Sequence, residues 1–259
     1  MGRDRYSLLR NVIDNQSNSF YLYLNTFFPH GIIRLLDELS KQTEFYIFSG
    51  VIKNFLLGFI EHRDLDLVID PTCNLQIHLE KLRELGLAEI RRNKFNGVKL
   101  ILEEMEVDIW RLEDTKGITD QLLAPTPENL IRTSFFNFSA IVYDYNYSRF
   151  IYDENFCDFL MKRELDVVYE ENPFVESCIV STFYYAEKYE LSISFKLCNW
   201  IRRHYKEDMD FKKVQLRRFG REYYSNDVIN KFCTTLLRYP SFKIIKITRI
   251  YKLIEIKFE

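Results

Sequence analysis

One stretch, Ser49 to Ile69, constrains this chain more than any other: a Ser-Gly break, a short apolar run ending in Leu56-Leu57-Gly58, then Asp64 and Asp66 in an alternating segment. Glu44 to Phe48 is aromatic and β-branched enough to predict a strand, and Ser49-Gly50 interrupts it before the helical run Val51 to Leu57. Gly50 is thereby placed at a helix N-terminus, where free backbone N–H groups and the positive dipole end favour an anion and a small residue lets a phosphate come close. Gly58 ends the helix. In Asp64-Leu65-Asp66-Leu67-Val68 the period of two puts both carboxylates on one side of a strand and both leucines on the other.

Two carboxylates aimed at one point offer oxygen-only ligands, which suit a hard divalent ion such as magnesium that bridges to substrate phosphates. A pair of aspartates on a strand also occurs simply as a solvated edge. The order of parts, strand, small-residue turn, helix and then the aspartate pair, favours the metal reading. A third carboxylate is expected from Val107-Asp108-Ile109-Trp110, another alternating segment, where Asp108 precedes an apolar pair. Glu106, two positions earlier on the same face, is the alternative ligand.

These segments resemble the motifs of class II transfer-RNA nucleotidyltransferases and bacterial poly(A) polymerases, a branch of the polymerase β superfold. The family's G-G-x-V-R-D-x-L-L-G followed by D-x-D is matched in spacing by Ser49, Gly50, Ile52, Lys53, Asn54, Leu56, Leu57 and Gly58, then Asp64 and Asp66. Its R-D-F-T-I-N-A-L-A is similar to Arg132-Thr133-Ser134-Phe135-Phe136-Asn137-Phe138-Ser139-Ala140, and its E-D-P-x-R to Glu171-Asn172-Pro173-Phe174-Val175. Tyr152-Asp153 and Asp158-Phe159 resemble its D-P and D-L pairs. The likeness runs from about residue 30 to 205. Departures fall at Ser49 for glycine, Lys53-Asn54 for Arg-Asp, Thr133 and Asn172 for aspartate, and Val175 and Cys178 for arginine.

The resemblance implies an α+β fold: a polymerase β-like nucleotidyltransferase head, with a mixed or antiparallel sheet and helices on one face, followed by a helical neck and a short C-terminal domain. It divides the chain into a head over 1–125, a nucleotide-binding and neck connection over 126–172, and a basic, mainly helical domain over 173–259. Asp64, Asp66 and Asp108 are the implied catalytic residues and ligands of Mg2+ or Mn2+. Ser49, Gly50, Lys53, Arg132 and Asn137 are implied to hold a nucleoside triphosphate. The implied activity is transfer of a nucleoside monophosphate to the 3′ end of an RNA such as tRNA. The departures keep open a catalytically reduced nucleotide- or RNA-binding regulatory protein, or transfer to a small-molecule or protein hydroxyl. An enzyme of this kind would recognise only the end of an RNA or depend on a partner protein.

Composition agrees with a large core, since 47% of the 259 residues are apolar. No apolar run is long enough to span a membrane, and Met-Gly-Arg-Asp-Arg is not followed by an apolar leader segment, so a cytoplasmic location is expected. The five cysteines are scattered without C-x-x-C spacing and read as buried thiols of a reducing compartment rather than a disulfide framework or zinc site. Charge is uneven. Residues 201–259 carry 15 Lys or Arg against 7 Asp or Glu, while residues 1–200 carry 21 against 31. Arg202, Arg203, Lys212, Lys213, Arg217, Arg218 and Arg221 lie among Tyr205, Phe211, Phe219, Tyr223 and Tyr224, a composition that can neutralise RNA phosphates and stack bases, or that can be a solvated helix face over packed aromatics.

Apolar spacing predicts helices over Phe28 to Lys41, Asn74 to Leu85, Phe174 to Tyr189, Ser194 to His204 and Phe211 to Tyr224. Strands are predicted over residues 87–92 and 97–111, a helix start at Pro125-Thr126-Pro127-Glu128, and a hairpin within Phe136 to Tyr152. Residues 241–259 fit either a helix or a strand. His62 reads as a solvated loop residue, His30, His78 and His204 lack ligand spacing, and Trp110 and Trp200 read as packing residues.

Overall fold

The computed structural model describes residues 2–59, 64–74, 76, 80, 84, 88–92, 97–238, 244–248 and 253–257. The chain forms two compact units, Met1–Ser134 with Phe138–Cys157, and Phe135–Asn137 with Asp158–Glu259. His62, His78 and eight of the twelve residues of the helix expected over 74–85 lie outside the described residues.

In the first unit seven strands form one sheet: β1 (Phe45–Phe48), β2 (Asp64–Ile69), β3 (Ala88–Arg92), β4 (Val98–Leu102), β5 (Met105–Arg111), β6 (Ile141–Asp144) and β7 (Arg149–Tyr152). Their order is β3-β4-β5-β2-β1-β6-β7. The pairings are antiparallel except β2 with β5, which run parallel. A parallel pair needs a long crossover connection, and the chain between β2 and β5 includes β3 and β4. The segment expected as one strand over 97–111 is a hairpin, because Glu103 and Glu104 turn at positive φ between β4 and β5.

Helices α1 (Gly2–Asn15), α2 (Ser17–Phe27), α3 (His30–Ser40) and α4 (Gly50–Leu56) belong to the same unit, as do the short helices α5 (Lys116–Gln121) and α6 (Pro127–Arg132). On α3 the expected stripe Ile32, Ile33, Leu35, Leu36 and Leu39 is buried. The aromatic ring of Phe20 on α2 is fully buried, 4.8 Å from Tyr143, 5.2 Å from Phe55 and 5.4 Å from Phe150, so α2 and α4 share one core with the β6–β7 hairpin. That hairpin pairs through β6 with β1. The boundary expected at residue 125 therefore falls inside a continuous unit, since detaching residues 126–157 would strip β1 of a ladder and unseal Phe20.

In the second unit α7 (Glu154–Lys162), which starts in the first unit, leads to β8 (Glu164–Leu165). There follow α8 (Val175–Lys188), β9 (Ser192–Ile193), α9 (Phe195–His204), α10 (Phe211–Phe219), α11 (Asn226–Arg238), β10 (Ile244–Thr248) and β11 (Leu253–Lys257). Ser194 Oγ accepts from the Leu197 N–H and Asp210 from the Lys213 N–H, so α9 and α10 begin on side-chain caps. The helix expected to reach Tyr224 stops at Phe219, because Gly220 takes the left-handed conformation and closes the turn. Helix α11 had no counterpart among the expectations. The segment 241–259, open between helix and strand, supplies β10 and β11, and the sheet runs β11-β10-β9-β8. A lone hairpin is marginal in water, and β9 gives it a third strand. The expected mainly helical domain is thus a helix-and-sheet unit.

Its core holds Phe183, Trp200, Phe211 and Phe232, all buried, with Phe183 and Phe232 edge-to-face at 4.9 Å. Trp200 is a packing residue as expected, its indole N–H donating to the Glu170 carbonyl. Trp110 is partly exposed and donates to Thr115 Oγ1. Cys157, Cys178, Cys198 and Cys233 are buried, whereas Cys73 is partly exposed. Among the described residues no helix is long and apolar enough to cross a membrane.

Candidate active site

Strand alternation assembles the carboxylates. Leu65 and Leu67 are fully buried on one side of β2, and Val107 and Ile109 are buried on β5, which turns Asp64, Asp66, Glu106 and Asp108 to the opposite side. Because β2 and β5 are parallel and in register, Asp64 pairs with Glu106 and Asp66 with Asp108. The three residues expected to act together are therefore brought to one face of two adjacent strands. Glu106, the alternative ligand, joins them at the more exposed end.

Lys99 was not among the expected site residues. It lies on β4 opposite Asp108, with Nζ 2.6 Å from Glu106 Oε2 and 3.2 Å from Asp108 Oδ2. The signal for it was present: in Val98-Lys99-Leu100 the neighbours are apolar, so Lys99 shares the polar face of its strand.

The charges act on one another. Burial pushes the Asp66 carboxyl up to about 7, repulsion from Asp64 and Asp108 adds to the rise, and Lys99 opposes it. Asp108 is raised in the same way by burial, with Lys99 partly offsetting and Glu106 and Asp64 reinforcing it. Burial works against the Lys99 charge, but the hydrogen bond to Glu106 and the field of Asp108 outweigh it, so its pKa is raised. Carboxylates held close enough to repel are a donor set whose charge a hard divalent cation neutralises. Among the described residues no group of three or more His, Cys, Asp or Glu side chains is placed so as to hold a metal ion. In donor chemistry alone, carboxylate oxygens of this kind suit a hard divalent cation.

The turn before α4 is unusual. Ser49 sits at φ 43° and ψ −69°, is buried, and donates its N–H to the Ile141 carbonyl at 3.2 Å. Non-glycine residues seldom adopt positive φ, and the outlier lies where the sequence placed a phosphate-approach turn. A Cβ added at Gly50 would meet nothing within 4 Å beyond its chain neighbours and its own helix backbone, so the turn is open at that point.

The remaining expected binding residues are dispersed. The Lys53 ammonium is buried 4.3 Å over the Phe138 ring. Arg132 is exposed in the last turn of α6. Asn137 belongs to the second unit, where its side chain donates to the Glu164 carbonyl and accepts from the Asp166 N–H, both at 2.9 Å. The departures from the family pattern have local roles. Thr133 stands against Gly117, where a Cβ on the glycine would come within 2.4 Å of the threonine Cβ. The Asn172 side chain accepts from the Phe174 N–H and shapes the turn into α8. Val175 opens that helix, and Cys178 is buried in it.

Of the basic and aromatic tail, Lys212, Lys213, Arg217, Arg218 and Arg221 are exposed, whereas Phe211 and Tyr224 are core residues. Phe219 stacks on Tyr184 at 4.4 Å, and the Arg221 guanidinium lies 4.3 Å over Tyr223. The aromatics are divided between packing and surface.

No family model and no curated protein matches the sequence. Solved structures do. A CCA-adding enzyme with CTP aligns at a TM-score of 0.61 and 14% identity, covering 86% of this chain and 56% of that one. The Thermotoga maritima CCA-adding enzyme complexed with tRNA aligns at 0.62 and 16%, with the same coverage. A tRNA nucleotidyltransferase complexed with a primer tRNA and an incoming ATP analog aligns at 0.58 and 16%, over 80% of this chain and 63% of that one. The chain has the fold of the CCA-adding enzymes. It spans 56% of the length of the first two of these structures. Within this fold, Asp64, Asp66 and Asp108 lie on one face of the neighbouring strands β2 and β5.

Proposed function

We propose that the chain is a metal-dependent nucleotidyltransferase that moves a nucleoside monophosphate from a nucleoside triphosphate to the 3′ end of an RNA such as tRNA. The observation that carries this reading is the in-register pair Asp66 and Asp108, with Asp64 on the same face, in a CCA-adding fold. Asp64, Asp66 and Asp108 would hold Mg2+ or Mn2+. The ion, when bound, supplies positive charge that stabilises the transferring phosphoryl group and its leaving pyrophosphate. Asp108, on the same face as Asp64 and Asp66, would help activate the attacking 3′-hydroxyl by accepting its proton. The hydroxyl oxygen bonds to the α-phosphorus as the bond to pyrophosphate breaks.

The Ser49-Gly50 turn offers its open face to the triphosphate, with the exposed Arg132 contributing charge. Asn137 fixes the backbone at Glu164 and Asp166 within the second unit. The exposed Lys212, Lys213, Arg217, Arg218 and Arg221, with Tyr223 beside Arg221, are assigned to RNA phosphates. The reading implies work in the cytoplasm, and a protein partner to complete acceptor recognition.

A second reading, a catalytically reduced nucleotide- or RNA-binding protein, is favoured by Lys53 lying over Phe138 and by Asn137 engaging backbone groups. Transfer from each of four α-labelled nucleoside triphosphates to tRNA with intact or trimmed 3′ ends, with Mg2+ or Mn2+, separates the two. Labelled RNA from the wild type and none from Asp64→Ala supports the transferase. Full activity of Asp64→Ala overturns the metal assignment. Nucleotide or RNA binding without product under any condition favours the second reading.

A further inference from the structure

Lys99 occupies a position that neither the motifs nor the nucleotidyltransfer reading requires. Val98 and Leu100 are buried on either side of it, so the pleat directs Lys99 to the carboxylate face. Its ammonium bridges Glu106 at 2.6 Å and Asp108 at 3.2 Å, and its side chain is only 20% exposed. A compact point charge sits where two carboxylates of adjacent positions would otherwise repel.

We propose that Lys99 is a built-in counter-cation that holds Asp108 in place of a divalent ion, and that ion binding displaces its ammonium from Asp108 onto Glu106. This rests on the assignment of Asp64, Asp66 and Asp108 as ion ligands. Three features support the exchange. Glu106 is the nearer anchor and lies at the more exposed end of the pair, so Lys99 keeps a partner after leaving Asp108. The lysine stem is flexible and its three donors rotate freely, which lets the charge swing without moving the strand. Like charges facing each other across a sheet destabilise it, so a resident cation lets β2, β4 and β5 pair before an ion arrives. Lys99 is then a positioning residue that sets how readily the ion enters.

The test is Mn2+ binding to the full chain, read by the loss of the free-ion electron paramagnetic resonance signal, for the wild type, Lys99→Met and Lys99→Arg, with thermal unfolding in EDTA alongside. Removing the competing charge should tighten Mn2+ binding about tenfold in Lys99→Met, given the size of a screened charge contact at this separation. Its melting temperature in EDTA should fall, and Mn2+ should restore more of it than in the wild type. Lys99→Arg should bind Mn2+ as the wild type does. If Lys99→Met fails to fold, Lys99→Gln, which keeps a polar contact to Glu106, carries the same expectation. Unchanged or weaker Mn2+ binding in the neutral variants, with a wild type that binds, overturns the displacement and leaves the ligand assignment standing. Absence of Mn2+ binding in every variant overturns the ligand assignment and the displacement with it.

Discussion

Asp66 and Asp108 face each other in register across the parallel strand pair of the first unit, with Asp64 two residues along the same face and Lys99 bonded to Asp108 from the other side. Two carboxylates so placed cost the fold stability while no cation is bound.

Asp66→Asn should therefore stabilise the ion-free protein. Relieving repulsion and burial of the charge is expected to add on the order of 1–2 kcal/mol at pH 8, as the raised Asp66 carboxyl indicates. Urea denaturation in EDTA measures it. Under the proposed function the same substitution should lower nucleotide transfer by more than about a hundredfold, since one of the proposed ion ligands is lost. A variant that is less stable in EDTA would contradict the electrostatic account.

Ser49→Gly should also stabilise. The residue sits at φ 43°, and holding a non-glycine side chain in such a region costs about 1 kcal/mol or more. Glycine removes that strain but makes the unfolded chain more flexible, so the net gain expected is about 0.5–1 kcal/mol. Chemical denaturation reads it, and a destabilised variant would show that the Ser49 side chain contributes more than its backbone strain costs.

Asn137→Ala removes one acceptor and one donor that clamp the backbone at Glu164 and Asp166. Leaving these part-buried backbone groups without the side-chain partner should cost about 1–2 kcal/mol. The loss should show first as faster proteolysis within the second unit. Weaker nucleotide binding with unchanged stability would instead assign Asn137 to the substrate.

Alkaline pH should weaken the fold. Burial pushes Tyr46, Cys178 and Cys233 up to about 12, so each stays protonated in the folded chain while its unfolded counterpart ionises near 10 or 9. In that window the unfolded state binds fewer protons, and stability falls as pH rises, by at most about 1.4 kcal/mol per pH unit for each group. The loss begins near pH 9 and continues to about pH 12. Denaturation midpoints at pH 8 and pH 10.5 measure it, and Tyr46→Phe should make the drop shallower.

Much of the site was legible in the sequence, because alternation and turn chemistry are local. Asp64 and Asp66 share a side since a strand repeats every two residues, and Ser49-Gly50 ends β1 because small residues break it. The helix α3 followed from its stripe of isoleucine and leucine. Other features were not legible. The tail beyond residue 241 alternates ambiguously, and β9, about fifty residues earlier, supplies the strand beside which β10 pairs. Helix α10 ends at Gly220, where a left-handed residue closes the turn although aromatic residues continue beyond it.

By itself, then, the sequence determined which residues could be ligands and which face of each strand they would occupy, because both depend on neighbours in the chain. Tertiary structure decided which of them meet. The parallel register of β2 and β5 brings Asp66 to Asp108, the antiparallel register of β4 and β5 brings Lys99 to the same carboxylate, and packing turns Lys53 onto Phe138. Register and packing join residues far apart in the chain, and the burial they create fixes how strongly those charges act on one another.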